Sequence, residues 1–519
     1  MDRAVNTGDT FTPWDASSLG GAGLTPTGHG RLEPVVIVRY SEIGLKGTRA
    51  RNSMEKKLME NITYSLLKEG EPATVRRGYG RVYVEGYVDA RAVAKALRRV
   101  FGVKSFSFAL RMRFQSLDEI VSAATLVFSE AVKDKYFAVR SRRMGNHPFT
   151  SMDVSVQVGA ALLPFARGVD LERPQVEVKV EVRDNLAFFY GQEIEGPGGL
   201  PLGSQGRLVA LVSGGIDSPV AAWMMMKRGS PVDILFCSLA HPVDTTAFLN
   251  VVSRLVDNWS FGYDGTIFIV DGSKLVEALT DHTRFRNSHV TFKRLLYRMA
   301  ERLSPENGYA GIVTGESLGQ VSSQTAENLL AAEHGIGLPV FRPLIGMDKE
   351  QIVALARYIG TFPDYNPGEF CSIFSDRPST AVDAEAVDRE EATFGDVSHL
   401  LEGATRIRFS QVHEFTERNS VESVRRKESM VGSVIIDLRR KEEYERWHVP
   451  GALNVDVRDV EDFVRKNGTN KTYVVYCSTG LQSAYAALKI KNMGARALYS
   501  DQRSIRKLVE EERVESNVR

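Results

Sequence analysis

Short apolar runs recur along this chain, each followed by a longer stretch in which apolar residues return at helical spacing. From residue 35 the pattern predicts a strand over 35–39, a helix over 53–67, a strand over 81–84, a helix over 90–100 and a strand over 106–110. Such alternation implies a ferredoxin-like α+β unit. A second unit follows, with a helix over 117–132, a strand over 137–140, a helix over 151–165 and strands over 176–182 and 186–190. Arg183-Asp184-Asn185 suits the hairpin turn between the last two.

Gly196-Pro-Gly-Gly-Leu-Pro-Leu-Gly203 is a connector, and the pattern changes after it. Runs at 208–212, 232–237, 266–270 and 311–314 are apolar enough for buried parallel strands, which predicts a doubly wound sheet with its crevice at the strands' carboxyl ends. A linker is expected over 396–428, most plainly in the charged, weakly apolar stretch 405–429. Beyond it a separate α/β unit begins with a strand over 434–437, followed by a strand over 473–476 and a helix from about Ser483.

Composition adds limits. The 519 residues suffice for three or four domains, and 43% hydrophobic with 25% charged is ordinary globular usage. No run approaches the roughly 20 apolar residues of a membrane span, and residues 1–34 lack the charged-then-apolar pattern of a signal peptide, so a cytoplasmic protein without a membrane partner is expected. Those 34 residues, rich in Gly, Thr, Ser and Pro, are expected to form a flexible tail. Cys237, Cys371 and Cys477 form no C-x-x-C pair, which argues against a zinc ribbon or a four-thiolate iron–sulfur cluster. Net charge is +1, yet residues 35–200 hold 26 Lys and Arg against 19 Asp and Glu. A basic module on a nearly neutral chain suits nucleic acid; solvated basic helix faces would give the same count.

The sharpest chemical signal is Ser213-Gly-Gly-Ile-Asp-Ser218, between an apolar strand and a helix. Two glycines let successive N–H groups approach an anion, and the helix adds the positive end of its dipole. No Gly-Lys-Ser/Thr ending is present, so no lysine grips a transferring γ-phosphate. An ordinary serine and glycine turn is the plain alternative. The segment resembles the SGGxDS loop of the PP-loop ATP pyrophosphatases, which cleave ATP between the α and β phosphates to adenylate a substrate. The resemblance implies an ATP site at Leu211, Val212, Ser213, Gly214, Gly215 and Ser218, with Asp217 helping to hold Mg²⁺ and the phosphates.

Three further segments extend the likeness. Basic and aromatic residues interleave over 137–152, with Arg140, Arg142, Arg143 and His147 close together; the segment resembles the signature of a THUMP domain, an RNA-binding module. Gly315-Glu-Ser-Leu-Gly-Gln-Val-Ser-Ser-Gln-Thr325 and Arg342-Pro-Leu-Ile-Gly-Met-Asp-Lys-Glu350 are similar to motifs of the tRNA 4-thiouridine synthases. Ile436-Asp-Leu-Arg-Arg-Lys-Glu-Glu-Tyr-Glu-Arg-Trp-His-Val-Pro-Gly-Ala452, with the loop Cys477-Ser-Thr-Gly-Leu-Gln-Ser483, resembles a rhodanese domain. A thiolate in such a loop sits within a ring of backbone N–H groups at a helix N-terminus.

The chain is thus similar to the long, rhodanese-containing type of that synthase family. The resemblance implies an α/β multidomain protein: a ferredoxin-like domain over 35–88, THUMP over 89–195, the PP-loop domain over 207–395 and rhodanese over 429–519. It implies ATP contacts by Lys293, Gly315 and Gln324, an aid to adenylation at Lys349, a persulfide on Cys477, and a Cys371–Cys477 disulfide as sulfur leaves. The implied partners are tRNA, a cysteine desulfurase as sulfur donor and a sulfur carrier of thiazole synthesis for thiamine. Gln482 stands where many rhodanese loops have arginine, which favours persulfide relay over thiosulfate chemistry. Two rivals share parts of the set. Another PP-loop enzyme, such as a 2-thiouridine synthase or an amidating synthetase, would lack the Cys371 turn and the rhodanese loop. A non-catalytic RNA-binding sulfur carrier would not need Asp217.

Overall fold

The computed structural model describes residues 31–78, 80–239, 243–363, 378–419, 421–424, 430–478 and 480–515. Most of the expected tail, and Cys371 with its turn, lie outside them. The chain divides into two compact units, Met1–Ser204 with Lys227–Gly229, and Gln205–Met226 with Ser230–Arg519.

The first unit is built on one mixed sheet of nine strands. Its path runs Thr74–Gly78, Arg81–Glu85, Glu33–Arg39, Ser105–Arg113, Leu186–Tyr190, Val176–Arg183, Tyr136–Met144, Gly168–Val169, with Ile194–Glu195 also beside Ser105–Arg113. The first four strands have the ferredoxin-like order. Ser105–Arg113 pairs along the whole of Glu33–Arg39, from Glu33 opposite Arg111 to Arg39 opposite Ser105. The expected break at 88/89 is therefore corrected: helix Ala90–Leu97 and strand Ser105–Arg113 complete the first module and do not open the second.

Two modules share the sheet because apolar residues of both pack together. Val35, Ile37, Tyr83 and Ala109 cluster with Phe188 and Tyr190 of the hairpin, and Tyr83 stacks on Phe188 at 5.4 Å. Strand Thr74–Gly78 was not expected from the sequence. It is a polar edge strand whose one aliphatic residue is Val75, as edges that avoid further pairing are. In the second module, helices Leu117–Val132 and Ser151–Leu162 bury Ile120, Val127, Phe128, Val154 and Val158 against Phe137, Val178 and Val180. Ser116 and Thr150 cap the two helices, Thr150 in a reciprocal box with Asp153.

The second unit holds two sheets. In the first, Val340–Phe341, Ile312–Val313, Leu208–Leu211, Val232–Ser238 and Thr266–Asp271 lie parallel in that order. Leu208–Leu211 is flanked on one side by the next strand in the chain and on the other by a much later one, so the winding reverses there. A crevice at the strands' carboxyl ends follows from that reversal. The other sheet is parallel, in the order Glu422–Ser423, Arg496–Asp501, Thr472–Cys477, Val434–Asp437, Leu453–Asn454.

The segment expected to be a linker is ordered in large part. Thr405–Arg408 closes the first sheet as an antiparallel edge strand, with Ile407 buried opposite Ile267, and Arg408 Nε is 3.2 Å from Asp264 Oδ2. Helix Val412–Asn419 follows, and Glu422–Ser423 joins the second sheet. One buried residue among charged neighbours suffices for an edge strand and gives almost no periodic signal. Among the described residues no helix is long and apolar enough to cross a membrane.

Candidate functional site

Strand Leu208–Leu211 ends at the winding reversal, and the Val212 amide still donates to Leu235 O at 3.0 Å. The chain then turns into helix Asp217–Lys227. Ser218 Oγ accepts from the Ser213 amide at 2.9 Å and lies 3.2 Å from Ser213 Oγ, while the Gly215 amide reaches Ser213 Oγ at 3.3 Å. The two serines thus close the loop from inside. Gly214 is required by close approach: a Cβ there would meet Ala247 Cβ and Phe248 N at 2.9 Å. Gly315 is required more strongly, because its Cβ would lie 2.5 Å from Ser218 N and 2.6 Å from Ser218 Cα. The second motif is therefore seated directly on the first turn of the helix after the SGGxDS loop.

Asp217, at the head of that helix, receives two donors from distant segments. Lys349 Nζ lies 2.7 Å and 2.9 Å from its two carboxylate oxygens, and Gln320 Nε2 donates to Oδ2 at 2.9 Å. Lys349 opens helix Lys349–Ile359, where Asp348 and Gln351 form a capping box. Gln324, expected at the nucleotide, has its side-chain oxygen on the Ser317 amide at 3.1 Å, so it shapes the loop that carries Gln320.

Lys293, also expected at the nucleotide, is held by a residue the sequence reading passed over. Its ammonium is 2.7 Å from Glu316 Oε1. Glu316, 4% exposed, also receives Tyr297 Oη at 2.8 Å, Arg342 Nε at 2.8 Å and Thr314 Oγ1 at 2.9 Å. Burial raises the Glu316 carboxyl's pKa, but the charges of Lys293 and Arg342 and the hydrogen bonds from Lys293 and Tyr297 outweigh it and bring it to about 2. Burial, with the charge and hydrogen bond of Glu316, holds the Tyr297 hydroxyl well above its ordinary range against the opposing charge of Arg342. A glutamate directly after the tight glycine of the motif was the available signal, but its four partners are spread from 293 to 342.

Cys477 ends strand Thr472–Cys477 and is 2% exposed. The Gly480 amide donates to its Sγ at 3.1 Å, with Gly480 at φ 90° ahead of helix Leu481–Asn492. Ser483 Oγ is 3.5 Å from Sγ and also 2.8 Å from Ser500 O. Asp437, fully buried, is bound by Arg439 and by the Tyr476 hydroxyl at 2.5 Å, which fixes the strand end that carries the cysteine. Cys237 lies at the end of strand Val232–Ser238 in the other sheet, packed close to Gly272.

In the first unit, the alternation of strand Tyr136–Met144 separates the four basic residues expected at RNA. Arg140 and Arg142 share one exposed face; Arg140 Nε is 3.6 Å from Glu177. Arg143 and His147 are engaged internally instead. Arg143 donates to Gly145 O at 2.6 Å and approaches His147 Nδ1 at 3.3 Å. His147 Nε2 must carry its proton, since its partner at 2.6 Å is the Asp184 carbonyl. The ring stacks on Phe149 at 5.1 Å, so this pair shapes the loop and its hairpin neighbour.

A tRNA sulfurtransferase of Thermoplasma volcanium is 47% identical to this chain over 464 residues, covering 89% of the chain and 95% of that protein. One from Thermoplasma acidophilum is 45% identical over 480 residues, covering 92% and 96%. The chain belongs to the tRNA sulfurtransferase family.

Within the family, its segments match the ThiI ferredoxin-like domain over 35–107, the THUMP domain over 114–191, the thiamine biosynthesis protein (ThiI) over 203–395 and the rhodanese-like domain over 420–506. The first match, like the pairing of Ser105–Arg113, runs past residue 89. A solved 4-thiouridine synthetase–RNA complex with bound ATP is 29% identical, with a TM-score of 0.63, over 72% of this chain and 99% of that one. Membership makes the chain a sulfurtransferase enzyme, which excludes the non-catalytic carrier.

The loop of this family member fits a polyphosphate. Gly214 leaves no room for a side chain, and the first N–H groups of the following helix have no partner within that helix. Among the described residues no group of three or more His, Cys, Asp and Glu could hold a metal. One carboxylate, Asp217, suits Mg²⁺ that takes its other ligands from phosphate and water.

Proposed function

We propose that this chain is an ATP-dependent tRNA 4-thiouridine synthase, which adenylates a uridine at O4 and replaces that oxygen with sulfur. The observation that carries the reading is the seating of Gly315 on Ser218, with Lys349 and Gln320 brought to Asp217. Together these make a phosphate cradle with one carboxylate and one cation at its mouth. The similarity to a solved 4-thiouridine synthetase complex with ATP supports it.

Leu211, Val212, Ser213, Gly214, Gly215 and Ser218 line the nucleotide, with the first amides of the following helix toward its phosphates. Asp217 would hold Mg²⁺, which would supply charge neutralisation of the phosphates. The uridine O4 bonds to the α-phosphorus and pyrophosphate leaves. Lys349 meets the negative charge that develops there, and Glu316 keeps Lys293 and Arg342 in register without leaving their charges unpaired.

Cys477 carries the sulfur as a persulfide, loaded by a cysteine desulfurase. The Gly480 N–H and the helix N-terminus favour its anion. The terminal sulfur bonds to C4 and AMP departs with the original oxygen. Cys371 then attacks the Cys477 sulfur, which releases 4-thiouridine and leaves a Cys371–Cys477 disulfide; a dithiol reductant restores both thiols. Arg140 and Arg142 meet RNA phosphates from the exposed face of their strand. The same persulfide is chemically competent to serve a sulfur carrier of thiazole synthesis, in keeping with the family description.

The test is AMP release from ATP in the presence of unmodified tRNA, a persulfide donor and a dithiol reductant. RNA-dependent release that is lost in Asp217→Asn supports the reading; release that needs no RNA, or that persists in Asp217→Asn, overturns it.

A further inference from the structure

Gln320 takes no part in the chemical steps above, yet its side chain reaches one of the residues on which they depend. Its amide nitrogen lies 2.9 Å from Asp217 Oδ2 across 103 residues of sequence. The turn that presents it is fastened at several points. The Gln320 amide donates to Ser317 O at 3.2 Å, and Gly319 adopts φ 75°, a conformation few other residues take without strain. Gln324 closes the turn twice: its carbonyl accepts from the Gly319 amide at 2.9 Å and its side-chain oxygen from the Ser317 amide at 3.1 Å. Two bonds tie the same turn to the segment ahead of Lys349, from Leu318 N to Ile345 O at 3.0 Å and from Ser317 Oγ to Met347 O at 2.9 Å.

Both donors to Asp217 therefore come from one fastened substructure, but they differ in kind. Lys349 is a cation on a flexible stem, its side chain 49% exposed, and phosphate oxygens compete for it as readily as a carboxylate does. Gln320 is neutral, so a phosphate draws it far less strongly than it draws an ammonium. A carboxylate whose counter-cation turns to the substrate needs a fixed neutral donor if it is to keep one oxygen aimed at a metal ion.

We propose that Gln320 is a positioning residue: its amide locks the Asp217 carboxylate in the orientation that receives Mg²⁺ while Lys349 transfers to the nucleotide. The inference rests on the role proposed for Asp217 in adenylation.

The experiment is steady-state AMP release with unmodified tRNA, a persulfide donor and reductant, measured against Mg²⁺ concentration beside thermal melts, for the unaltered enzyme, Gln320→Ala and Asp217→Asn. Gln320→Ala should lower kcat about tenfold and shift the Mg²⁺ midpoint upward, with KM for tRNA unchanged. A residue with a merely structural role would change thermal stability but not the Mg²⁺ midpoint. A Gln320→Ala midpoint equal to the unaltered enzyme's overturns the inference provided Asp217→Asn is inactive. An active Asp217→Asn overturns the parent reading instead.

Discussion

Lys349 Nζ lies 2.7 Å from Asp217 Oδ1, a contact that spans 132 residues of sequence. The pair is partly open to solvent, with side chains 49% and 20% exposed, so as a stabilising interaction it is worth at most about 1 kcal/mol. Its place beside the phosphate cradle gives it a different use. Asp217→Asn and Lys349→Ala should each lower RNA-dependent AMP release by roughly 10²- to 10³-fold while Tm hardly moves. Because the two act as a unit, the double variant should be little worse than either single one. Additive losses in that cycle would show that they work separately.

Gly315→Ala tests the seating of one motif on the other. The new methyl would lie 2.5 Å from Ser218 N, against backbone that cannot swing aside. The expected outcome is a KM for ATP raised about tenfold or more, equivalent to ~1.4 kcal/mol, with RNA affinity unchanged. Nucleotide affinity measured by calorimetry checks it directly.

Glu316 links acid stability to the site. Its carboxyl is lowered from an ordinary 4.5 to about 2, so the folded form binds this proton less readily than the unfolded chain does. The stabilisation, about 3 kcal/mol by linkage, is fully present above pH 4.5 and is lost as pH falls toward 2. Glu316→Gln should be destabilised by roughly 3–5 kcal/mol at neutral pH, since Lys293 loses its counter-charge and Arg342 keeps only Glu333. It should also lose less stability than the unaltered protein between pH 4.5 and pH 2. Denaturant unfolding at several pH values reads both effects.

What was legible in the chain follows from where the information lies. The SGGxDS loop and the Cys477 loop were readable because each is a contiguous turn between an apolar strand and a helix, and the chemistry needs only backbone and one side chain. The Glu316 cluster was not, because residues 293, 297, 314 and 342 become neighbours only when a helix and two strand ends converge on residue 316. Gln320 was hidden for the same reason. Strands Thr74–Gly78 and Thr405–Arg408 escaped notice because each is an edge with a single aliphatic residue of Val or Ile type. The continuous nine-stranded sheet likewise rests on Phe188 and Tyr190 packing with Val35 and Ile37, a pairing that no local pattern announces.

Arg140 and Arg142 separate from Arg143 and His147 in their expected effects on RNA. Replacing Arg140 and Arg142 with alanine should weaken tRNA binding and reduce the slope of log affinity against log salt by about one for each phosphate no longer neutralised. His147→Ala should act through stability, because its ring holds Asp184 O and stacks on Phe149. Binding isotherms at several salt concentrations, set beside thermal melts, tell the two apart.

Mass spectrometry of nucleosides tests the central claim most directly. Unmodified tRNA is incubated with ATP, Mg²⁺, a persulfide donor and reductant, using the unaltered enzyme, Cys477→Ala and Asp217→Asn. The account predicts new 4-thiouridine with the unaltered enzyme, none with Asp217→Asn, and a sharp reduction with Cys477→Ala, which should still release pyrophosphate on adenylating the RNA. AMP release without any thiolated nucleoside from the unaltered enzyme would contradict it and turn attention to another acceptor.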